Sequence, residues 1–135
     1  MEKCSMLHSE SLYPKDWLRI AEKDLNRSQQ LVKIDDPEAA GFYLQQSIEK
    51  FLKAFLLKNG WRLKRIHNLE PLLNEALTYD SSFEKYRSVL QKITGFYFIE
   101  RYPFTLNAGL TIEDIQVALG EVKPFIDSLR AYLVT

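Results

Sequence analysis

Pro37 to Gly60 reads PEAAGFYLQQSIEKFLKAFLLKNG, and this stretch decides the fold. Asp36 stands before a proline. That is the pattern of a helix N-cap followed by a residue whose missing N–H has no intrahelical partner in the first turn. Leu44, Ile48, Phe51, Leu52 and Phe55 then recur three and four residues apart, the period of one helix face. Gly60 supplies the stop, since only glycine enters the left-handed conformation without steric cost. The spacing predicts a helix to about Asn59. Gln46, Glu49, Lys50 and Lys53 line its opposite face, and Phe42 and Leu57 close that polar stripe at its two ends. The stripe therefore need not be plain solvent surface.

The same period recurs on both sides. Upstream, a helix from Pro14 to about Val32 turns Trp17, Ile20, Ala21, Leu25, Ser28, Leu31 and Val32 inward. Asp24 falls inside that stripe, and a carboxylate on an apolar face needs a partner. The expected partner is a group between Tyr97 and Tyr102, Arg101 foremost. Downstream, HNLEPLLNEAL predicts a short helix capped by Asn68. YDSSFEKY opens a fourth main element carrying Phe83, Tyr86, Leu90, Ile93 and Tyr97, and Arg101-Tyr102-Pro103 ends it. Thr111 caps a last helix whose Ile112, Ile115, Leu119, Val122, Ile126, Leu129 and Leu133 form a heptad-like stripe. Pro124, inside that helix, predicts a kink rather than a break. No segment alternates as a strand does. The expectation is an all-α fold: an up-and-down bundle of four main helices plus a short connecting helix. Residues 1–12 read as a flexible N-terminal tail and 13–135 as a single helical domain.

Composition narrows the function classes. The 135 residues carry 18 basic and 18 acidic side chains, so net charge predicts no polyanion partner and only a local cluster can recruit one. One cysteine, Cys4, excludes an internal disulfide and a cysteine-based zinc site and fits a reducing compartment. With only two histidines, His8 and His67, a histidine-rich metal site within one chain is excluded. No cofactor and no metal are expected. No run approaches the ~20 apolar residues of a membrane span, and MEKCSMLHSE lacks the apolar core of a secretion signal. A cytoplasmic location without membrane attachment is the expectation.

The local charge anomaly spans Lys58 to His67, on both sides of Gly60. Lys58, Arg62, Lys64 and Arg65 place four positive charges in a segment without an acid, ending at His67. Such a run is either a solvated loop or a phosphate contact surface that displaces counterions from a polyanion. Trp61 is expected to pack inward, with Arg62, Lys64 and Arg65 reaching outward and Lys53, about two turns before Gly60, extending the patch. There is no phosphate-binding glycine loop, no paired-cysteine motif and no nucleophile elbow.

Several blocks together carry a family resemblance. Gln45-Gln46-Ser47-Ile48-Glu49-Lys50-Phe51-Leu52-Lys53-Ala54 resembles the QQ-x-x-EK-x-LKA signature of the HEPN domain. Ile66-His67-Asn68-Leu69 resembles its THDL element, and Tyr97 through Arg101-Tyr102-Pro103 its Y…RYP element. Trp17 to Leu25 resembles its W-x-x-x-A-x-x-DL first helix. The resemblance spans roughly Tyr13 to Leu133. It implies a helical bundle that commonly forms a homodimer, in a prokaryotic protein often encoded beside a minimal nucleotidyltransferase as a toxin–antitoxin-like pair. Some relatives are metal-independent ribonucleases; others are proposed to bind nucleotides or nucleic acid.

Ribonuclease members carry an Arg followed four to six residues later by His, late in the domain. Here Arg101 is followed by Tyr102-Pro103-Phe104-Thr105-Leu106-Asn107, with no histidine at that distance. Arg62 and His67 have the spacing but follow the second helix, in another part of the fold. The primary expectation is a binding and interaction module rather than an enzyme: a homodimeric partner of a nucleotidyltransferase. It would contact a nucleotide or RNA through Lys53, Arg62, Lys64, Arg65, His67 and Arg101. The alternatives are a ribonuclease toxin using His67 with Arg101 or Arg62, and a purely structural helical dimer.

Overall fold

A computed structural model describes residues 11–101 and 109–134, with residues 98–101 described by backbone alone. The chain forms α1 (Pro14–Lys33), α2 (Pro37–Lys58), α3 (Leu69–Leu77), a 3-10 segment (Ser81–Tyr86), α4 (Arg87–Arg101) and α5 (Ile112–Leu133), with no strand among the described residues. This is the expected all-α bundle of four main helices and one short connecting helix.

Local chemistry sets the ends. The Asp36 side chain accepts from the Ala39 N–H at the start of α2. Thr111 and Asp114 form a reciprocal capping box on α5. The ends of α1 and α2 share one geometry. Asp36 N–H donates to Leu31 O and Asp35 N–H to Val32 O; Trp61 N–H donates to Leu56 O and Gly60 N–H to Leu57 O. Both are Schellman turns, with Asp35 (φ 62°) and Gly60 (φ 88°) in the left-handed position. Helix α5 runs unbroken through Pro124.

Two local expectations are corrected. YDSSFEKY opens not as an α-helix but as a 3-10 segment, because the Asp80 carboxylate accepts from the Ser82 N–H two residues on and tightens the entry. Asn68 occupies the cap position of α3, yet its side chain makes no capping bond. Within the stretch expected as a tail, Ser11 is buried, its carbonyl accepts from Trp17 Nε1 (2.6 Å), and its hydroxyl donates to Asp16 (2.7 Å). Residues 1–10 lie outside the described residues.

Helix α2 is the central element, packed against α1, α3, α4 and α5. Its predicted face is wholly buried, and so are Ala40, Ala54 and Leu56. Small residues let α1 approach closely: Ser28 Oγ donates to Ala40 O (2.8 Å) and Ser47 Oγ to Ala21 O (2.9 Å), so the hydroxyls are satisfied where they are buried. Gly41 gives α4 the same access; a Cβ there would stand 2.7 Å from Phe96 Cβ. The α5 stripe closes the core through Ile115, Val122, Ile126 and Leu129, joined by Ala118 and Phe125.

Candidate functional site: a polar ladder ending at His67

The polar face of α2 is not a solvent face. Glu49 and Lys53 are each 3% exposed, and Gln45 is 1% exposed. These residues, with Gln46 and Lys50, form one chain of hydrogen bonds. Asp24, 3% exposed on α1, accepts from Arg27 Nη1 (2.7 Å) and from Lys50 Nζ (3.0 Å). Lys50 Nζ also donates to Gln46 Oε1 (3.1 Å), and Gln46 Nε2 to Gln45 Oε1 (2.7 Å). Gln45 Nε2 donates to the main-chain carbonyl of His67 (2.9 Å). The His67 ring returns to α2, its Nδ1 3.2 Å from Glu49 Oε2. Lys53 Nζ donates to the same oxygen (2.9 Å) and stands 5.2 Å from the Trp17 ring centre, a cation–π contact that supports a desolvated ammonium.

The ladder is fixed by helical spacing on one side and by tertiary contact on the other. Gln45, Glu49 and Lys53 follow at intervals of four, so their side chains rise along one line of α2. Asp24 and His67 come from α1 and from the connection between α2 and α3. Glu49 Oε1 is buried without a hydrogen-bond partner among the described residues. An ionised carboxylate only accepts. A hydrogen bond at this contact needs the hydrogen on Nδ1, the tautomer that leaves the lone pair on Nε2. The His67 side chain is 71% exposed.

The connection itself follows the sequence. Trp61 is buried, drawn in by the Schellman turn that ends α2. Arg62, Lys64 and Arg65 are exposed; Lys64 Nζ lies 3.9 Å from Glu75, a distant surface pairing. Lys58 reaches away from this segment to the Tyr132 carbonyl at the end of α5. Beside the segment, between α3 and α4, opens a groove of about 540 Å³ whose wall includes Asn68, Asn74, Arg87 and Gln91.

The expected site residues thus divide. Arg62, Lys64, Arg65 and His67 share one exposed segment. Lys53 does not extend that patch outward: burial and the Glu49 ion pair hold it beneath the imidazole. Arg101 closes α4, and its side chain lies outside the described residues, as do Tyr102 and Pro103. The partners found for Asp24 are Arg27 and Lys50, while the expected pairing with Arg101 lies outside what is described. Gln45 and Glu49 were not anticipated as site residues. The available signals were the four-residue spacing of Gln45, Glu49 and Lys53, and Asp24 within an apolar stripe. Among the described residues, no group of three or more His, Cys, Asp or Glu side chains could hold a metal ion, and no helix is long and apolar enough to cross a membrane.

The HEPN domain family model matches residues 14–132. Among solved structures, the crystal structure of TT1696 from Thermus thermophilus superposes with a TM-score of 0.74 at 23% identity, over 89% of this chain and 98% of that one. At that identity the likeness is one of fold. No curated protein matches.

Proposed function

The chain belongs to the HEPN domain family, and from that premise we propose that it is a nucleotide- or RNA-binding interaction module whose phosphate-receiving face is the segment Arg62–His67. The observation that carries this reading is the joint exposure of Arg62, Lys64 and Arg65 beside an imidazole clamped from below. Guanidinium and ammonium groups release counterions from a polyanion, and the imidazole adds one directed contact. Lys53 contributes indirectly, through Glu49. Arg101 remains part of the proposal on the family signature alone.

The family also supports a homodimer and a nucleotidyltransferase partner in a toxin–antitoxin-like pair. Light scattering should give about twice the 15.8 kDa chain mass; a monomer at high concentration would remove the dimer. A small nucleotidyltransferase gene next to this one would support the pairing.

A second reading, a metal-independent ribonuclease, is favoured by one observation, the Glu49–His67 contact, which leaves Nε2 available for proton transfer. RNA cleavage by the purified chain, lost in His67→Ala with the fold intact, would select it.

The binding reading is tested by titrating a short single-stranded RNA at low and moderate salt. Affinity should fall steeply with salt. Changing Arg62, Lys64 and Arg65 together to Ala should weaken binding whatever the base sequence, flatten the salt slope and leave the melting temperature nearly unchanged. An unaltered affinity and slope would show a solvated loop.

A further inference from the structure

The ladder does more for His67 than phosphate affinity requires. We propose that Glu49 is a positioning residue for His67, fixing the ring so that Nε2 is the atom presented to a phosphate or phosphodiester. The inference rests on the reading of Arg62–His67 as the phosphate-receiving face and names how one contact on that face is organised.

Three observations converge. The ring and the carboxylate meet at 3.2 Å although the two residues are 18 apart in sequence. The main chain of His67 is held independently by Gln45 Nε2 at 2.9 Å, so backbone and ring are each tied to α2. Glu49 itself cannot turn toward water: it is 3% exposed, and Lys53 shares its Oε2 at 2.9 Å beneath the Trp17 ring. A buried Glu–Lys pair is an expensive way to fill space, since apolar residues of similar volume do so at equal or lower free energy. Its place directly under an exposed imidazole gives it a chemical purpose. A carboxylate at Nδ1 sets the tautomer. The neutral ring then offers a lone pair at Nε2, and the protonated ring offers an N–H there. The ring can take a proton from a hydroxyl or donate to a phosphate oxygen at one fixed point, with Arg62, Lys64 and Arg65 on the same segment to balance the anion.

Nitrogen-15 NMR of the full-length chain decides this without a known ligand. Only His8 and His67 contribute ring signals, and His67→Gln identifies the second. In alkaline solution, where the rings are neutral, native His67 should show the Nδ1–H tautomer, while His8 serves as the internal reference. In the double variant Glu49→Leu/Lys53→Met, which replaces the pair by apolar residues of similar size, the His67 signal should move to the Nε2–H tautomer that an unconstrained imidazole prefers. An Nε2–H tautomer already in the native chain, or one unchanged Nδ1–H tautomer in both, overturns the proposal. A chain that binds no RNA yet keeps the native Nδ1–H tautomer, lost in the double variant, overturns the phosphate reading and leaves Glu49 as the positioning residue.

Discussion

His67 Nδ1 stands 3.2 Å from Glu49 Oε2, an exposed imidazole resting on a carboxylate that is 3% exposed. Lys53 completes the arrangement from within the bundle. Stability should therefore respond unequally to changes in this pair. Lys53→Met alone strands a buried carboxylate and should cost ~3–5 kcal/mol. Adding Glu49→Leu should recover most of that loss. Chemical denaturation of both variants checks this; equal loss in each would show that the pair is not desolvated.

Asp24 ties α1 to α2 through Lys50 and is itself buried. Asp24→Ala should cost about 2–3 kcal/mol, below the top of the range for buried pairs because the Arg27 side chain stays 46% exposed. Glu22, on the same helix, is tied to α5 and does not serve as a neutral comparison. It accepts from Arg130 Nη2 at 2.6 Å and Nε at 2.8 Å and holds the guanidinium above its ordinary pKa. The exposed Lys23 is the better one, and Lys23→Ala should leave the melting temperature unchanged. Equal effects from Asp24→Ala and Lys23→Ala would mean that Asp24 is solvated.

Gly41 and Gly120 should respond to alanine with opposite signs. At Gly41 the new Cβ would meet Phe96 Cβ at 2.7 Å and Ile115 Cδ1 at 3.2 Å, forcing α4 and α5 away from α2 at a cost of about 1–3 kcal/mol. At Gly120, inside α5, a new Cβ would meet no atom of the described residues within 4 Å beyond its own helix backbone and chain neighbours. Alanine there should stabilise by about 0.5–1 kcal/mol through helix propensity. Thermal melts of the two variants give the comparison, and a stabilised Gly41→Ala would contradict the close α2–α4 approach.

Tyr132 donates to Asp80 at 2.7 Å and joins the end of α5 to the 3-10 segment. Hydrogen bonds from Ser82 and Tyr132 hold the Asp80 carboxyl below its ordinary 3.8, and Asp80 holds the Tyr132 hydroxyl above its ordinary 10.0. For the acid, stability is present above pH 3.8 and lost as pH falls through the lowered value. For the phenol, it is present below pH 10.0 and lost as pH rises through the raised value. The gap in melting temperature between the native chain and Tyr132→Phe should be widest between those limits and close beyond both. A gap that does not vary with pH would exclude this bond as its source.

Helical periodicity made the helices and most of the core legible in the sequence. Leu44, Ile48, Phe51, Leu52 and Phe55 follow a local geometric rule, and Asp36, Gly60 and Thr111 mark helix ends by chemistry acting within a few residues. The outward placement of Arg62, Lys64 and Arg65 and the burial of Trp61 follow from the same local turn. What the pattern could not supply was the cover over each face. Glu49 and Lys53 read as a polar stripe, yet Trp17 and the chain around His67 close over them. Asp24 announced a partner, but its contact with Lys50 spans 26 residues. Spacing along one helix fixes which side chains share a line; only the packing of α1 and the α2–α3 connection against that line decides which charges lose water, and so which must pair.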